Sequence, residues 1–249
     1  MNIRSKTILI TGAAQGIGYA LARTLANQEK TILLADLNDG KLKQVAAELE
    51  PKCKQVVSYA GDLTNEKVRI DMVSDILASF SSLDVLINNA GVTHDPKPLQ
   101  DLSDEEFDFN FNVNTKLPFQ LMRAFLPAMQ ENNNGMIINI SSAANIMGYE
   151  DLSVYSATKS ALSSLTDSLA AENKTKNIKA IAIMPSRTNT PMQVKVRGEE
   201  VAESSQPPEF VAEIISKVIS GEIPTKTGDD IRIRENKFVV EEDVFSKDF

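Results

Sequence analysis

The sequence predicts a single α/β domain in which a doubly wound parallel sheet of about seven strands is flanked by helices. Short apolar runs alternate along the chain with longer segments of helical period. The runs are mostly apolar rather than strictly alternating, which is typical of strands buried on both faces of a parallel sheet. With 249 residues, of which 42% are hydrophobic, the chain has the length and apolar content for one large domain with a full core.

Each predicted strand is one of these apolar runs. They lie at 7–11, 31–35, 55–60, 83–87, 136–140 and 179–184, with a weaker seventh candidate at 230–234. The predicted crossover helices lie at 16–28, 39–50, 64–80, 103–130, 154–173 and 208–220. Ser103 and Glu106 form a predicted capping box at the start of the fourth helix. Because repeated βα units build one sheet through right-handed crossovers, residues 1–249 are expected to form one domain.

The scarcity of His and Cys excludes several kinds of chemistry. His94 and Cys53 are the only residues of their types, so they cannot supply the three or four ligands of a usual zinc site, and we expect no metal site. A Ser-His-Asp or Cys-His mechanism would depend on His94 alone, so the expected proton carriers are Tyr, Lys, Asp or Glu. We expect His94 to lie in an exposed loop, at most as an accessory at the substrate mouth, and Cys53 to be inert.

The charge and hydropathy patterns exclude further partners. The net charge of −8 argues against a nucleic-acid binder, which would carry a basic face. No stretch approaches the roughly 18 apolar residues of a membrane span, and the first residues lack the pattern of a secretory leader. We therefore expect a cytoplasmic protein that binds neither nucleic acid nor a membrane.

A glycine-rich turn, residues 11–18 (TGAAQGIG), joins the first predicted strand to the first helix. Gly12 would allow a tight turn, Gly16 a close approach of a pyrophosphate, and Gly18 close packing of the helix on the strand. The free amides at the helix N-terminus would then favour the phosphates. The spacing G-x3-G-x-G differs from the usual G-x-G-x2-G, so a plain strand-to-helix turn is the alternative.

Asp36 ends the second predicted strand, 18 residues after Gly18. A carboxylate there can accept hydrogen bonds from the adenosine ribose and would repel a 2′-phosphate, which favours NAD over NADP. No Arg or Lys directly follows Asp36, and Gln15 rather than a basic residue precedes Gly16. The alternative is a turn or helix-cap residue, because residues 37–40 (LNDG) are turn-like.

Further motifs follow in order along the chain: Asp62, residues 88–91 (NNAG), Asn114, Ser142, and Tyr155 four residues before Lys159. Together with the turn at 11–18, this ordered set resembles the classical short-chain dehydrogenase/reductase family over roughly residues 5–192. The resemblance implies a Rossmann-like fold and an oxidoreductase that uses NAD(P) on a small alcohol or ketone. It also implies a homodimer or homotetramer formed through the helices of the fourth and fifth crossovers.

The resemblance further assigns roles to individual residues. It implies a catalytic tetrad of Asn114, Ser142, Tyr155 and Lys159, in which Asn114 anchors a water that relays protons to the lysine. It places Asp62 at the adenine. The implied cofactor contacts are Gly12, Gln15, Gly16, Ile17, Gly18, Asp36, Asp62, Leu63, Asn89, Ala90, Gly91, Tyr155, Lys159, Pro185, Thr188 and Thr190.

The residues themselves support this chemistry. Tyr155 and Lys159 share a face of a predicted helix because they are four residues apart. A phenol has a pKa of about 10, and a nearby ammonium would lower that pKa. Tyr155 could then exchange a proton with the substrate oxygen as hydride moves to or from NAD, while Ser142 holds that oxygen. The alternatives are a packing role for Tyr155, a solvated charge for Lys159 and a turn cap for Ser142.

Two of the assigned positions have neighbours that compete with them. Ser141 is the alternative to Ser142, which is favoured by its thirteen-residue spacing from Tyr155. Asn110 and Asn112 are the alternatives to Asn114, which follows the family's Val-Asn pattern.

The resemblance is weaker towards the C-terminus. Residues 185–186 are Pro-Ser where the family often has Pro-Gly, the Gly-Gly common near the seventh strand is absent, and residues 235–249 have no close match. Residues 186–207 lack a clear period and are expected to cover the substrate. Their mixture of Lys195 and Arg197 with several glutamates indicates no substrate charge.

The favoured hypothesis is therefore an NAD(H)-dependent oxidoreductase that interconverts a secondary alcohol and a ketone, with Tyr155 as general acid and base. One alternative is an NADPH-dependent ketoreductase of acyl-chain or secondary-metabolite synthesis, which Asp36 opposes. Another is a non-catalytic dinucleotide-binding regulator, which the complete tetrad opposes. The sequence leaves the substrate open.

Overall fold

A central sheet of eight strands runs through the residues that the computed structural model describes, 6–80 and 83–242. The strands are β1 (Thr7–Thr11), β2 (Thr31–Asp36), β3 (Gln55–Ala60), β4 (Val85–Asn88), β5 (Gly135–Ile140), β6 (Ile178–Pro185), β7 (Asp230–Arg234) and β8 (Lys237–Glu241). Their order is β3-β2-β1-β4-β5-β6-β7-β8, and only the last pairing among them is antiparallel. This topology confirms the predicted doubly wound sheet. The chain adds strands on one side of β1 as far as β3 and then on the other side from β4, so the strand order reverses between the parallel neighbours β1 and β4.

Helices cover both faces of the sheet. They are α1 (Gly16–Leu25), α2 (Asp39–Leu49), α3 (Glu66–Ser79), α4 (Asp104–Phe111), α5 (Leu117–Glu131), α6 (Ser153–Glu172), α7 (Pro191–Arg197), α8 (Glu199–Glu203) and α9 (Pro208–Ser220). Alternate residues of β1 enter different layers: Ile8 and Ile10 pack with α1, α2 and α9, whereas Leu9 packs with α3, α5 and α6. Among the described residues, no helix is both long and apolar enough to cross a membrane.

Two strands differ from the expectation. β3 was predicted to be buried on both faces, but it is an edge strand that pairs with β2, and Gln55, Ser58 and Ala60 are exposed. The eighth strand was not predicted. It forms because Glu235 and Asn236 both adopt positive φ angles, 52° and 57°, which is the two-residue turn that matches the twist of a hairpin. Residues 243–249 of the unmatched tail lie outside the described residues.

The predicted helix at 103–130 is interrupted. Its capping box is confirmed, since the Glu106 amide donates to Ser103 Oγ at 3.3 Å and the Ser103 amide donates to Glu106 Oε2 at 3.0 Å. Between α4 and α5, Asn112–Lys116 form a π-helical turn. Pro118 lacks the N–H that a continuous α-helix would donate to the Asn114 carbonyl, so the helix cannot pass Asn114 in regular form.

Candidate active site

A cavity of about 850 Å³ opens at the carboxyl ends of β1, β2, β4, β5 and β6. In open α/β sheets ligands bind at this edge, beside the point where the strand order reverses. The cavity has the size of a ligand site, for which about 300–1,000 Å³ is typical. Except for Gly18 and Asn114, every predicted site residue lines it.

The glycine turn forms one wall of the cavity. Gly12 has a φ of 64°, and a Cβ added to Gly18 would lie 2.0 Å from the Gly12 carbonyl oxygen, so Gly18 is behind the turn as a packing position. Within the described residues, no side chain caps the first amides of α1, because Gln15 instead accepts a hydrogen bond from Lys41 Nζ at 3.0 Å. Uncapped amides at a helix N-terminus are the partners that a pyrophosphate requires.

Asn89 attaches this turn to the end of β4. Its Nδ2 donates to the carbonyl oxygens of Thr11 and Gly12 at 2.9 and 3.0 Å. Thr11 Oγ1 in turn accepts from the amides of Asn89 and Ala90, both at 3.0 Å. Asn88 extends the attachment to β5 by donating to Asn139 Oδ1 at 2.8 Å. The turn therefore has one orientation relative to the sheet.

Asp36 lies at the end of β2 with its carboxylate in the cavity wall. Its two oxygens accept hydrogen bonds from the amides of Ala14 at 3.0 Å and Asn38 at 2.9 Å. The N-cap of α2 is Asn38, so Asp36 is not a helix cap. Asp62 also lines this wall; it is exposed and accepts from the amide and hydroxyl of Thr64 at 2.9 and 2.7 Å.

Lys159 is buried at the opposite end of the cavity. Its Nζ donates to the Ile140 carbonyl at 2.8 Å, and burial lowers the pKa of the ammonium to about 8. A Cβ added to Gly91 would lie 3.5 Å from Lys159 Nζ and 3.4 Å from Asn114 Oδ1, so these two side chains approach each other across Gly91.

Asn114 lies behind the cavity wall rather than in it. Its Oδ1 accepts from the Val92 amide at 2.8 Å, and its Nδ2 donates to the Val92 carbonyl and to Thr158 Oγ1 at 2.9 and 3.0 Å. It thus joins the loop after β4 to α6. Asn110, one of its alternatives, donates to Glu106 O within its own helix, and neither Asn110 nor Asn112 lines the cavity.

Tyr155 is half-buried beside Lys159, whose Nζ lies 5.8 Å from the centre of the phenol ring. Burial raises the pKa of Tyr155; the nearby Ser142 hydroxyl opposes that shift, and Tyr149 adds to it. The expectation of a lowered phenol pKa is therefore wrong for this structure. The physical reason is that the ring is desolvated while the lysine ammonium is directed at the Ile140 carbonyl.

The two neighbouring serines have separate surroundings. Ser141 is buried, donates to the Lys159 carbonyl at 3.0 Å and accepts from Ser163 Oγ at 2.8 Å. Ser142 accepts from the Ala144 amide at 3.1 Å, and its hydroxyl lies in the cavity wall in hydrogen-bonding contact with the Tyr155 side chain. Ser142 is therefore both a turn cap and a hydroxyl that can donate to a ligand.

Residues of the segment 186–207 line one side of the cavity as far as Arg197, and the segment contains two short helices that were not predicted, α7 and α8. Thr190 caps α7 by accepting from the Gln193 amide at 3.3 Å, and its Cγ2 would lie 3.2 Å from a Cβ on Gly16. Thr188 accepts from Gln206 Nε2 at 3.2 Å, which closes the base of the segment. Lys195 attaches α7 to the loop after β4, as an ion pair with Asp95 Oδ1 at 3.0 Å.

His94 and Cys53 are both buried. The expectation of an exposed loop position for His94 was wrong, because the loop after β4 is held against α7; the ring does not line the cavity, and its Nδ1 lies 2.9 Å from the Asp95 carbonyl. Burial raises the pKa of the Cys53 thiol, in agreement with an inert cysteine.

Several residues of the cavity wall were missed by the sequence analysis: Thr93, Phe109, Tyr149, Arg187, Met192 and Gln193. Arg187 carried a usable signal, because it follows the residues at the end of β6 that the family resemblance already placed at the site. Tyr149 carried none, since nothing in its sequence surroundings distinguishes it from a packing residue.

Comparison with known proteins gives a consistent result. A family model described as short chain dehydrogenase matches residues 6–201. The 3-oxoacyl-[acyl-carrier-protein] reductase of Thermotoga maritima is 32% identical over 94% of this chain and 98% of its own length. A 3-ketoacyl-(acyl-carrier-protein) reductase from Brucella melitensis, solved with NADH, is 25% identical at a TM-score of 0.83 and covers 93% of this chain and 97% of its own. L-Sorbose reductase from Gluconobacter frateurii, solved with NADPH and L-sorbose, is 25% identical at a TM-score of 0.83, over 94% of this chain and 97% of its own.

Proposed function

The chain belongs to the short-chain dehydrogenase family, and on that premise we propose that this oxidoreductase interconverts a secondary alcohol and a ketone with NAD(H). The observation that carries the proposal is the convergence of Tyr155, Ser142 and Lys159 at one end of a cavity whose other end holds the glycine turn and Asp36. A proton carrier and a dinucleotide-binding wall thus face the same space.

The residues present fit a nicotinamide dinucleotide. The uncapped start of α1 suits the pyrophosphate, and Asp36 suits the adenosine ribose. Asn89 to Gly91, Pro185 and Thr188 line the middle of the cavity towards Lys159. When bound, the dinucleotide supplies or accepts the hydride.

Tyr155 is the proposed proton donor in reduction and acceptor in oxidation. The Ser142 hydroxyl donates to the substrate oxygen and holds it beside the phenol. With a pKa of about 8, Lys159 is mainly protonated at neutral pH, so its ammonium stabilises negative charge that develops on the phenol oxygen.

Asn114 is the proposed link from Lys159 to a water. The approach of its side chain to Lys159 across Gly91 supports this role. Pro118 gives further support. It has no N–H to donate to the Asn114 carbonyl, so that carbonyl does not receive the usual α-helical bond and can accept a hydrogen bond from a water. Asn114 therefore acts as a positioning residue in this proposal.

Asp36 makes NAD the proposed cofactor, because its carboxylate repels a 2′-phosphate. The test is a pair of dissociation constants, for NADH and NADPH, measured by calorimetry on the wild type and on Asp36→Asn, with Asp39→Asn as the matched control on the same wall. We expect the wild type to prefer NADH, and Asp36→Asn to lower that preference by about tenfold through loss of the charge. A wild type that binds NADPH more tightly would favour the NADPH-dependent ketoreductase, which the full-length similarity to a 3-oxoacyl reductase also supports.

The activity itself is tested by following the nicotinamide absorbance with a panel of secondary alcohols and ketones and both cofactors. We expect turnover of at least one ketone with NADH. Tight NADH binding with no turnover across the panel would contradict the enzymatic proposal and favour a regulator.

We also propose a homodimer or homotetramer assembled through the helices of the fourth and fifth crossovers, which are α4 and α5 in the fourth and α6 in the fifth. Phe107 on α4 and Phe119 on α5 are 46% and 41% exposed, and aromatic side chains are enriched in protein–protein interfaces. Light scattering on the wild type and on Phe119→Asp tests the assembly. The expected result is a smaller mass for the variant, and a monomeric wild type would contradict it.

A further inference from the structure

The charged residues that line the cavity are separated by sign. The carboxylates Asp36, Asp39 and Asp62 follow β2 and β3, on the side proposed for adenosine. The cations Lys159, Arg187 and Arg197 lie on α6 and in the segment that begins after β6. Although the chain carries a net charge of −8, no carboxylate among the described lining residues accompanies these cations.

Arg187 has a defined position at the carboxyl edge of the sheet. β5 and β6 pair with Ile140 opposite Ile183, so Ser142 and Arg187 leave neighbouring strands at the same edge. Pro185 is level with Ser142, Arg187 is two residues further on, and the strands are about 5 Å apart, so we infer that the long Arg187 side chain can reach the space beside Ser142.

The backbone on both sides of Arg187 is held by hydrogen bonds. The Ser186 amide donates to the Ile233 carbonyl at 2.8 Å, and Thr188 Oγ1 donates to the Ser186 carbonyl at 2.9 Å. Asn189 donates to the Gln206 carbonyl at 2.9 Å. The guanidinium is thus carried by a fixed loop, which is the property of a specificity residue.

The two arginines are unpaired, unlike the lysine between them. Lys195 is engaged by Asp95 Oδ1 and by the Thr93 carbonyl, at 3.0 and 3.3 Å. Within the described part of the chain, neither Arg187 nor Arg197 forms an ion pair with a carboxylate. The glutamates of α8 are not in the cavity wall. Of the charged residues in segment 186–207, only the cations Arg187 and Arg197 line the described cavity wall, so the face of the segment towards the cavity is cationic.

The pyrophosphate does not account for these arginines. The proposed pyrophosphate site is the uncapped start of α1, where Thr190 approaches Gly16. Arg187 precedes that contact and lies two residues after Pro185, which the register of β5 and β6 places level with Ser142.

We propose that the substrate carries an anionic group, a carboxylate or a phosphate, which Arg187 binds while Arg197 approaches it from α7. A guanidinium offers two parallel donors to either group, which adds orientation to the charge attraction. This inference rests on the proposed function, because it selects among ketones that Tyr155 and Ser142 would process. It adds the substrate class that the sequence left open.

The test compares anionic ketones with neutral counterparts of matched structure. The probes are acetoacetate and its methyl ester, 4-oxopentanoate and its methyl ester, and dihydroxyacetone phosphate and dihydroxyacetone, each with NADH. The pairs distinguish a carboxylate source from a phosphate source. They are assayed on the wild type, Arg187→Gln, Arg197→Gln and Arg23→Gln, a control arginine on α1 that pairs with Glu48 outside the cavity wall.

We expect the wild type to prefer one anionic probe over its neutral partner, and Arg187→Gln to lower kcat/KM for that probe by about tenfold or more, mainly through KM. The neutral partner should change by no more than about twofold, and Arg197→Gln should show a smaller loss than Arg187→Gln. Equal losses for both members of a pair, or a wild type that prefers every neutral partner, would overturn the proposal. A raised NADH dissociation constant in Arg187→Gln would also overturn it and assign the arginine to the cofactor.

The proposed function and the anion site fail in different ways. If none of the probes is reduced, calorimetry measures whether the anionic probes bind to the enzyme–NADH complex more tightly than their neutral partners. This tests the anion site independently of catalysis. Binding of an anionic probe that weakens in Arg187→Gln but not in Arg23→Gln would keep the anion site while the proposed function fails. Absence of such binding would overturn the anion site as well.

Discussion

The two halves of the cavity are built in different ways. In the half at β1, β2 and β4, side chains bond to backbone: Asn89 holds the glycine turn, and both oxygens of Asp36 accept amides. In the half at β6 and α7, Arg187 and Arg197 face the cavity without an ion-pair partner among the described residues. The first half thus has one orientation before a ligand arrives, whereas the second presents groups that a ligand must satisfy. In our proposals the first type of construction holds the dinucleotide and the second selects the substrate.

The largest effect that separates the halves is expected from Gly18→Ala. The new Cβ would lie 2.0 Å from the Gly12 carbonyl oxygen and 2.5 Å from Asn89 Nδ2, so the whole turn must move. We expect the NADH dissociation constant to rise by about a hundredfold, as measured by fluorescence titration.

Gly40→Ala is the matched control for this change, because Gly40 lies in α2 with its nearest neighbour 3.7 Å from the added Cβ. It should leave NADH binding unchanged. Unaltered binding in Gly18→Ala, with a retained melting temperature, would mean that the first half is not rigid.

A smaller effect is expected from Lys195→Met, which releases α7 from the loop after β4. The ion pair with Asp95 is exposed, at 51% and 78% for the two side chains, so its contribution is modest. We expect the substrate KM to rise by about threefold at low salt, with the difference shrinking at high salt because exposed pairs are screened. NADH binding should stay the same.

Lys217→Met controls for the loss of an exposed ion pair, since Lys217 pairs with Glu213 on α9, outside the cavity wall. If Lys195→Met changes the NADH dissociation constant but not the substrate KM, α7 contributes to cofactor binding and not to substrate binding.

Gly18 lies in a turn that could be predicted from the sequence, whereas α7, which carries Lys195, could not be predicted. The turn at 11–18 and Asp36 were recognisable from their places after the first two predicted strands, and the Tyr155–Lys159 pair from its helical spacing together with the family resemblance. β8 was missed because Glu235 is not a residue that usually adopts positive φ, and α7 because its seven residues offer no period. The raised pKa of Tyr155 depends on burial, which no local pattern encodes.

The smallest expected effect is on the pH dependence of stability and should leave ligand binding in both halves of the cavity unchanged. Asp230 begins β7 opposite Glu241, and burial, with Asp167 and Glu241 nearby, raises its pKa from 3.8 to about 7. The folded protein therefore holds a proton that the unfolded chain releases between these pH values, so this residue lowers the free energy of unfolding as pH rises from 3.8 to 7.

Asp230→Asn removes that dependence. We expect its melting temperature to exceed that of the wild type above neutral pH and to approach it near pH 4, with no change in KM or NADH binding. Melting curves across this range measure the difference, and parallel curves for the two proteins would contradict the assignment.

If Tyr155 carries the proton and does not hold the dinucleotide, cofactor binding and proton transfer are separable; Tyr155→Phe tests this, with Tyr149→Phe as the neighbouring control. We predict that Tyr155→Phe binds NADH within about twofold of the wild type, while the rate of ketone reduction in a single turnover falls by about a thousandfold. Tyr149→Phe should retain most of that rate. Full turnover in Tyr155→Phe, or loss of NADH binding together with activity, would contradict the account.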